Sequence, residues 1–151
     1  MVQIRVQTRG MDFNRMAQEL EQDIRDLKKN TLESMASTIA QVSPVDSGFY
    51  ARNHQVAMRS GSFAAMTQRP DSAPRRSKGQ AVDEAAARTA GLQSMMSGIA
   101  SIDLDGESFV FRNPMTYSAL VEAEHAVYGR TIRETAAIID QEIARIAARN
   151  R

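Results

Sequence analysis

The longest regular spacing of hydrophobic positions runs from about residue 12 to residue 42. Apolar or small side chains recur there every three or four residues, which predicts one amphipathic helix of about 45 Å at ~1.5 Å per residue. Asp12 stands where it can cap the first turn. The spacing is nearer 3.6 than 3.5, so packing on a sheet or on several neighbours is favoured over the alternative, a coiled coil. The stripe comprises Phe13, Met16, Leu20, Ile24, Leu27, Thr31, Met35, Ile39 and Val42.

Alternation of apolar and polar residues predicts strands at two places. Val2, Ile4 and Val6 alternate with polar residues, which predicts a strand-like N-terminal arm over residues 1–10. Residues 54–58 alternate in the same way. His54 is then interpreted as a half-exposed strand residue, because no nucleophile or carboxylate is spaced to accompany it in catalysis.

The second half of the chain predicts a hairpin between helices. Residues 81–97 have a helical stripe that Gly98 can end. Asp105-Gly106 is a two-residue turn signal, and it predicts a hairpin over residues 99–112 with Ile102 opposite Phe109.

Two further helices complete the pattern. A short helix starts near Tyr117 and ends before Gly129. A last helix is expected to be capped by Thr131, with Glu134 three residues later in a capping-box arrangement.

Composition narrows the class of protein. A length of 151 residues fits a single domain, 1–151, and the lack of Cys excludes disulfides, Cys-ligated zinc and thiol chemistry. The net charge of +1 argues against a dedicated nucleic-acid binder. No apolar run approaches the ~18 residues of a membrane span, and the N-terminus lacks the apolar core of a signal peptide. We therefore expect a protein made in the cytoplasm, or built into something assembled there, without a membrane partner.

Residues 59–80 form a long basic loop in this interpretation. The segment is either solvated and mobile, or an arm that orders on an acidic protein surface or on DNA phosphate. A nucleic-acid-binding accessory protein that uses this loop is the alternative function. The candidate contacts are Arg59, Arg69, Arg75, Arg76 and Lys78, against Asp71 as the one acid.

Candidate chemistry is sparse. No phosphate-binding, dinucleotide-binding, HExxH or GxSxG motif occurs. Asp103, Asp105 and Glu107 match no calcium loop and are ordinary turn acids. Glu122, Glu124 and His125 on one short helix could form an acid–base set, but nothing orients them, and helix-surface charge is the preferred explanation. We expect no catalytic residue, no metal site, no cofactor and no enzymatic activity.

Two short motifs carry a resemblance. The first is Ser-Pro-Val-Asp-Ser-Gly at residues 43–48, followed by Arg52-Asn53, where Pro, Asp and Gly supply turn chemistry. The second covers residues 111–122 and includes Asn113, Tyr117 and Glu122. In this order, the two segments resemble a family of tailed-bacteriophage neck and tail-completion proteins, which includes minor tail protein Z-like and head–tail joining proteins.

The resemblance implies a fold and a place in a virion. The implied fold is α+β, a small antiparallel sheet packed by a long N-terminal helix, a middle helix and a C-terminal helix. The implied function is structural, as a homo-oligomeric, commonly hexameric ring between the connector or adaptor and the tail-tube or tail-terminator proteins, with non-specific DNA contact in the lumen. Assembly would take place in the host cytoplasm.

The motif residues are expected to have structural roles in such a ring. Pro44, Asp46, Gly48 and Arg52 would shape the turn after the long helix, with Arg52 able to reach back to Asp46. Asn113 would close the preceding hairpin, and Tyr117 and Glu122 would fix the helix that follows against the sheet or a neighbouring subunit.

Overall fold

A computed structural model of the chain describes residues 12–45, 48–59, 61, 82–106 and 108–149. The architecture is α+β, as predicted, with a small antiparallel sheet and several helices around it. The elements in chain order are α1 (Phe13–Val42), α2 (Phe49–Arg52), β1 (Gln55–Met58), α3 (Glu84–Ser101), β2 (Phe109–Arg112), α4 (Ser118–His125) and α5 (Val127–Arg149). The arm over residues 1–10 and nearly all of the basic loop lie outside the described residues.

Helix α1 has the boundaries that its sequence predicts. The Asp12 carboxylate accepts hydrogen bonds from the N–H groups of Asn14 and Arg15, both at 3.1 Å, and so caps the first turn. The helix stops at Ser43, whose backbone is extended, because Pro44 disfavours helical geometry in the residue before it.

The sheet contains two strands in the described part of the chain, and they are β1 and β2. They pair antiparallel, with Val56 opposite Phe111 and Met58 opposite Phe109. The predicted hairpin over residues 99–112 is therefore wrong. Residues 99–101 belong to α3, because Ile99 continues the four-residue spacing of the buried Met95 and completes the buried face of that helix.

The Asp105-Gly106 turn exists, but it connects a helix to a strand. The Gly106 N–H donates to the Asp103 carbonyl at 3.1 Å. Gly98 does not end α3 as expected. It lies inside the helix, and a Cβ placed there would come within 2.7 Å of the Val56 carbonyl oxygen, so glycine lets α3 approach β1 closely.

The core lies where the C-terminal half of α1 meets α3, the sheet and the start of α5. Its buried side chains are Leu32, Ala36, Ile39, Ala40, Tyr50, Val56, Met95, Ile99 and Val127. Helix α5 packs on α1 and runs antiparallel to it, since Val127 lies in the core while Arg149, in the last turn of α5, pairs with Asp23 and Asp26 in the N-terminal half of α1.

The last helix begins earlier than the sequence predicts. Helix α5 starts at Val127, directly after Ala126, whose backbone is left-handed with φ of 48°. Thr131 lies inside the helix, and its hydroxyl donates to the Val127 carbonyl at 3.0 Å. The Thr131 capping box is therefore wrong, because a different side chain caps this helix.

Candidate functional site

The two sequence motifs meet in the folded chain. Asn113, which directly follows β2, is buried, and its Nδ2 donates to the Tyr50 carbonyl of α2 at 2.7 Å. The Asn113 Oδ1 accepts the Met115 N–H at 3.1 Å, which fixes the chain as it leaves the strand. One amide side chain thus holds the end of β2 against the short helix that follows the first motif.

A chain of buried hydrogen bonds lies beside this contact. The Oγ of Ser43 is 2.7 Å from Nε2 of His54, and Nδ1 of His54 is 2.8 Å from the hydroxyl of Tyr128. Ser43 ends α1, His54 precedes β1 and Tyr128 lies in the first turn of α5. The three side chains therefore join elements that are far apart in the sequence. We call Ser43, His54, Tyr128 and Asn113 the polar junction.

The hydrogen-bond directions in the polar junction follow from one backbone contact. The Ser43 Oγ lies 2.6 Å from the Ile39 carbonyl oxygen, which can only accept, so the serine hydroxyl donates there. The Ser43 Oγ then accepts from His54 Nε2–H. His54 Nδ1 is left as the acceptor for the Tyr128 hydroxyl, and the ring is satisfied in its neutral form.

Burial sets the protonation of these groups. His54 has no exposed surface, and the loss of water lowers its pKa from 6.5 to about 3. Burial also raises the pKa of the Tyr128 hydroxyl, as does the nearby Tyr50. At neutral pH, His54 and Tyr128 are therefore uncharged.

The Ser43–His54 pair resembles a nucleophile with its base, but its geometry opposes that role. A base must accept the proton of the serine hydroxyl, whereas this hydroxyl donates to the helix backbone. Both side chains are completely buried. The expectation of a half-exposed His54 is wrong, because the turn of α2 directs the residue before β1 into the core. The polar junction connects the ends of α1, β1 and α5.

Glu122 links the last two helices. Its carboxylate accepts hydrogen bonds from the backbone N–H groups of Tyr128 and Gly129, at 3.0 and 2.9 Å. These N–H groups lie in the first turn of α5, where the helix itself offers them no acceptor. A carboxylate at a helix N-terminus also interacts favourably with the helix dipole. Tyr117, just before α4, is half-buried and packs against the core. Glu122 thus fixes α4 against α5.

The turn residues of the first motif are only partly described. Gly48 has a left-handed backbone, with φ of 82°, at the start of α2, and this conformation favours glycine. Pro44 is half-buried and Arg52 is exposed. Asp46 lies outside the described residues, so its pairing with Arg52 stays a prediction.

The candidate partner contacts are mostly undescribed. Arg59 is exposed at the end of β1, and its backbone N–H donates to the Ser108 carbonyl at 3.1 Å. Arg69, Arg75, Arg76 and Lys78 lie outside the described ranges. Over the residues that are described, no group of three His, Cys, Asp or Glu side chains could hold a metal ion. Within the same ranges, no helix is long and apolar enough to cross a bilayer.

The structure also contains an apolar groove that sequence reasoning missed. It has a volume of about 460 Å³ and lies between α1, β2 and α5. Leu27, Thr31 and Met35 of α1 line it, and they belong to the helical stripe that was expected to pack on a sheet or on several neighbours. Its other lining residues are Lys28, Leu32, Ser108, Phe109, Phe111 and Ile139.

The groove is continuous with exposed apolar surface on α1. Met16, Leu20 and Ile24 are 53%, 61% and 45% exposed, and they precede Leu27 and Thr31 at helical spacing. We call Met16, Leu20 and Ile24 the exposed stripe. Comparison with known proteins does not identify a relative, since no family model, curated protein or solved structure matches this chain.

Proposed function

We propose that this chain is a structural protein of a tailed-phage virion. In this proposal it forms a homo-oligomeric ring at the neck, completes the tail and joins it to the connector. The basis is the resemblance carried by the Pro-Val-Asp-Ser-Gly segment and by the segment with Asn113, Tyr117 and Glu122. The proposal assigns the chain no catalytic step.

One observation carries the proposal beyond the resemblance. Asn113 of the second motif holds α2, the short helix after the Ser-Pro-Val-Asp-Ser-Gly turn, and Glu122 holds the start of α5, while Ser43 of the first motif is buried against His54 and oriented against nucleophilic chemistry. This is the expected role of motif residues in a protein whose function is its shape. Motif residues of an enzyme would be expected to converge on an accessible cleft.

A second observation supports assembly. The exposed stripe places three large aliphatic side chains in water on the N-terminal half of α1. Contiguous apolar surface of this kind marks interaction sites in soluble proteins. A ring needs two different surfaces that meet head to tail and close by rotation, and a long helix with one unpaired apolar face is suitable material for one of them.

The first test is the mass of the purified chain, measured by light scattering at several concentrations. A discrete multimer, above all a hexamer, supports a closed ring. A chain that stays monomeric at high concentration and also fails to sediment with tail or connector particles would contradict the proposal.

The alternative, nucleic-acid binding through the basic loop, predicts a different result. A monomer that shifts DNA at low salt, with affinity falling steeply as salt rises, would favour that function over the ring.

A further inference from the structure

We infer that the apolar groove receives the N-terminal arm, residues 2–6, of a second copy of this chain. The inference rests on the proposed function, since a ring supplies the second copy. It names the contact that would connect neighbouring subunits: an extended segment that adds to the free side of β2 and covers the groove.

The outer edge of β2 is open in the described part of the chain. In an antiparallel ladder, the backbone groups of successive residues point alternately toward and away from the partner strand. The Ser108 carbonyl accepts from the Arg59 N–H, so it faces β1. By alternation, the N–H and C=O groups of Phe109 and Phe111 point away from β1, and no further strand follows on that side in the described part of the chain.

The two sides of the sheet differ in what covers them. On the β1 side, α3 approaches so closely that Gly98 nearly touches the Val56 carbonyl. On the β2 side lies the groove, lined by Phe109 and Phe111 themselves. An added strand therefore has room beside β2, where main-chain hydrogen bonds would supply affinity and apolar side chains would fill the groove.

The groove also contains an unsatisfied polar atom. The Thr31 hydroxyl is buried and has no hydrogen-bond partner in the part of the chain that the structure describes. A buried hydroxyl without a partner is costly, and rotation of the Thr31 side chain toward the groove would let it bond to an incoming backbone.

The occupant is suggested by the sequence. Val2, Ile4 and Val6 alternate with Gln3 and Arg5, which is the pattern of a strand with one apolar face. Such a strand needs an edge to pair with and an apolar surface to cover, and β2 with the groove offers both. The apolar face of residues 2–6 would be buried while Gln3 and Arg5 face water.

Chain length favours a second copy over the chain's own arm. Thr31 lies 18 residues beyond Phe13, about 27 Å along the helix axis. Ile4 precedes Asp12 by eight residues, roughly 28 Å at full extension. To return along its own helix, the arm would use about four of those residues to reverse direction, so Ile4 would fall more than ~10 Å short of Thr31. An arm from a neighbouring subunit has no such limit.

Engineered disulfides test the contact directly, because the chain contains no cysteine. One full-length chain carries Arg5→Cys, on the water-facing side of the arm, and a second, marked by a C-terminal size tag, carries Ser108→Cys, which is exposed on the side of the sheet opposite Phe109. After mixing and mild oxidation, we expect a disulfide-linked heterodimer on a non-reducing gel. The matched control pairs Arg5→Cys with Gln41→Cys, an exposed position at the far end of α1. Docking should give on the order of tenfold more linked product than this control, because it raises the local concentration of the two thiols.

A blocking variant strengthens the test. Thr31→Arg fills the groove, whereas Gln41→Arg makes the same addition on the exposed side of α1. With thermal unfolding showing both proteins folded, Thr31→Arg in the chain that bears Ser108→Cys should lower the linked yield to the control level, and Gln41→Arg should leave it unchanged. Equal yields from the test and control pairs would overturn the inference. So would an intrachain disulfide in a single chain that carries both Arg5→Cys and Ser108→Cys.

The outcome can be separated from that of the proposed function. Light scattering on the unsubstituted chain reports the multimer independently of the arm. A multimer without the Arg5→Cys to Ser108→Cys link keeps the ring and removes the docked arm. A monomer at every concentration that gives no link counts against both.

Discussion

His54 shows how one buried side chain can make the whole fold sensitive to acid. The folded protein keeps the ring neutral, between the Ser43 and Tyr128 hydroxyls, and burial lowers its pKa to about 3. In the unfolded chain the same ring titrates near its ordinary pKa of about 6.5. Between these two values the unfolded state binds one more proton than the folded state, so the free energy of unfolding falls as the pH falls.

The first prediction follows from that linkage. Between pH 6 and pH 4, His54 should remove about 2 to 3 kcal/mol of stability, at ~1.4 kcal/mol per pH unit. His54→Gln, which cannot titrate, should lower stability at pH 7 but show a smaller loss between pH 6 and pH 4. Urea unfolding at a series of pH values measures both effects. His125→Gln, at a half-exposed position, is the matched control for the loss of one histidine side chain. Parallel pH profiles for the His54→Gln protein and the unsubstituted protein would contradict the assignment.

A second prediction at the residue scale concerns Glu122. Glu122→Ala removes the acceptor of two N–H groups at the start of α5 and should cost about 1.5 to 3 kcal/mol, since hydrogen bonds to a charged group are involved. Glu122→Gln keeps an acceptor oxygen and should lose less. The control Glu124→Ala, two residues away and exposed, should change the free energy of unfolding by no more than about 0.5 kcal/mol. Chemical denaturation of the three variants decides this, and equal losses for Glu122→Ala and Glu124→Ala would remove the capping role.

At the scale of elements, the close approach of α3 to α2 depends on a single missing side chain. A Cβ at Gly91 would lie 1.8 Å from the Ala51 carbonyl oxygen, a backbone atom that cannot move without displacing α2. Gly129 in α5 has no such neighbour, since the nearest atom to a Cβ placed at that position is the Glu122 Oε1 at 3.5 Å. An added side chain at position 91 would therefore clash with the backbone of α2, whereas one at position 129 would fit.

The third prediction compares these two glycines. Gly91→Ala should destabilise the chain by about 2 kcal/mol or more, because the helices must separate. Gly129→Ala should be neutral or stabilising by up to about 1 kcal/mol, because alanine favours a helix interior and restricts the unfolded chain. Thermal unfolding of both variants gives the comparison. A Gly91→Ala protein as stable as the unsubstituted chain would show that α2 and α3 are not packed so closely.

The elements that the sequence predicts best are those whose determinants are local. Asp12 caps the start of α1, the stripe spacing specifies its helical conformation, and Pro44 ends it. Each of these residues lies within a few positions of the feature that it determines. The hairpin failed because the turn at Asp105-Gly106 is local whereas the strand partner of β2 is not. β1 lies about fifty residues earlier, and nothing near Phe109 indicates it.

The candidate site was predicted only in part, for the same physical reason. The sequence indicates which segments matter, since Asn113 and Glu122 prove to be buried or half-buried hydrogen-bonding residues. The sequence does not indicate that the side chains of Ser43, His54 and Tyr128 are hydrogen-bonded to each other. That contact depends on the chain reversal at α2 and on the position of α5, and Tyr128 is 74 residues beyond His54. The apolar groove could not be predicted, because the hydrophobic spacing of α1 is the same whether neighbouring elements bury the whole stripe or only half of it.

At the scale of the molecule, α1 extends beyond the elements that cover it. Its C-terminal half lies in the core. In its N-terminal half, Asp23 and Asp26 form ion pairs with Arg149 of α5, and Arg25 forms one with Asp105 in the 103–106 turn. Exposed pairs of this kind contribute little to stability, typically below about 1 kcal/mol each. The exposed stripe between them is apolar surface that the described elements leave open, where a second copy could pack.

The last prediction separates assembly from folding on this surface. Leu20→Glu places a charge in the exposed stripe, where the side chain is already 61% exposed, so the thermal midpoint of the isolated chain should hardly change. If the stripe is an interface in the ring, the same change removes the burial of one large apolar side chain, worth about 1.5 to 3 kcal/mol. It also leaves a charge to be desolvated, so association should weaken by at least about tenfold.

Gln18→Glu is the control, because it adds a charge on the opposite, polar side of α1 and should leave the mass of the multimer unchanged. Light scattering across a concentration series, with thermal unfolding of each variant, makes the comparison. A Leu20→Glu protein that assembles as the unsubstituted chain does would place the ring contacts elsewhere, whereas one that unfolds at lower temperature would show that the stripe belongs to the fold of the single chain.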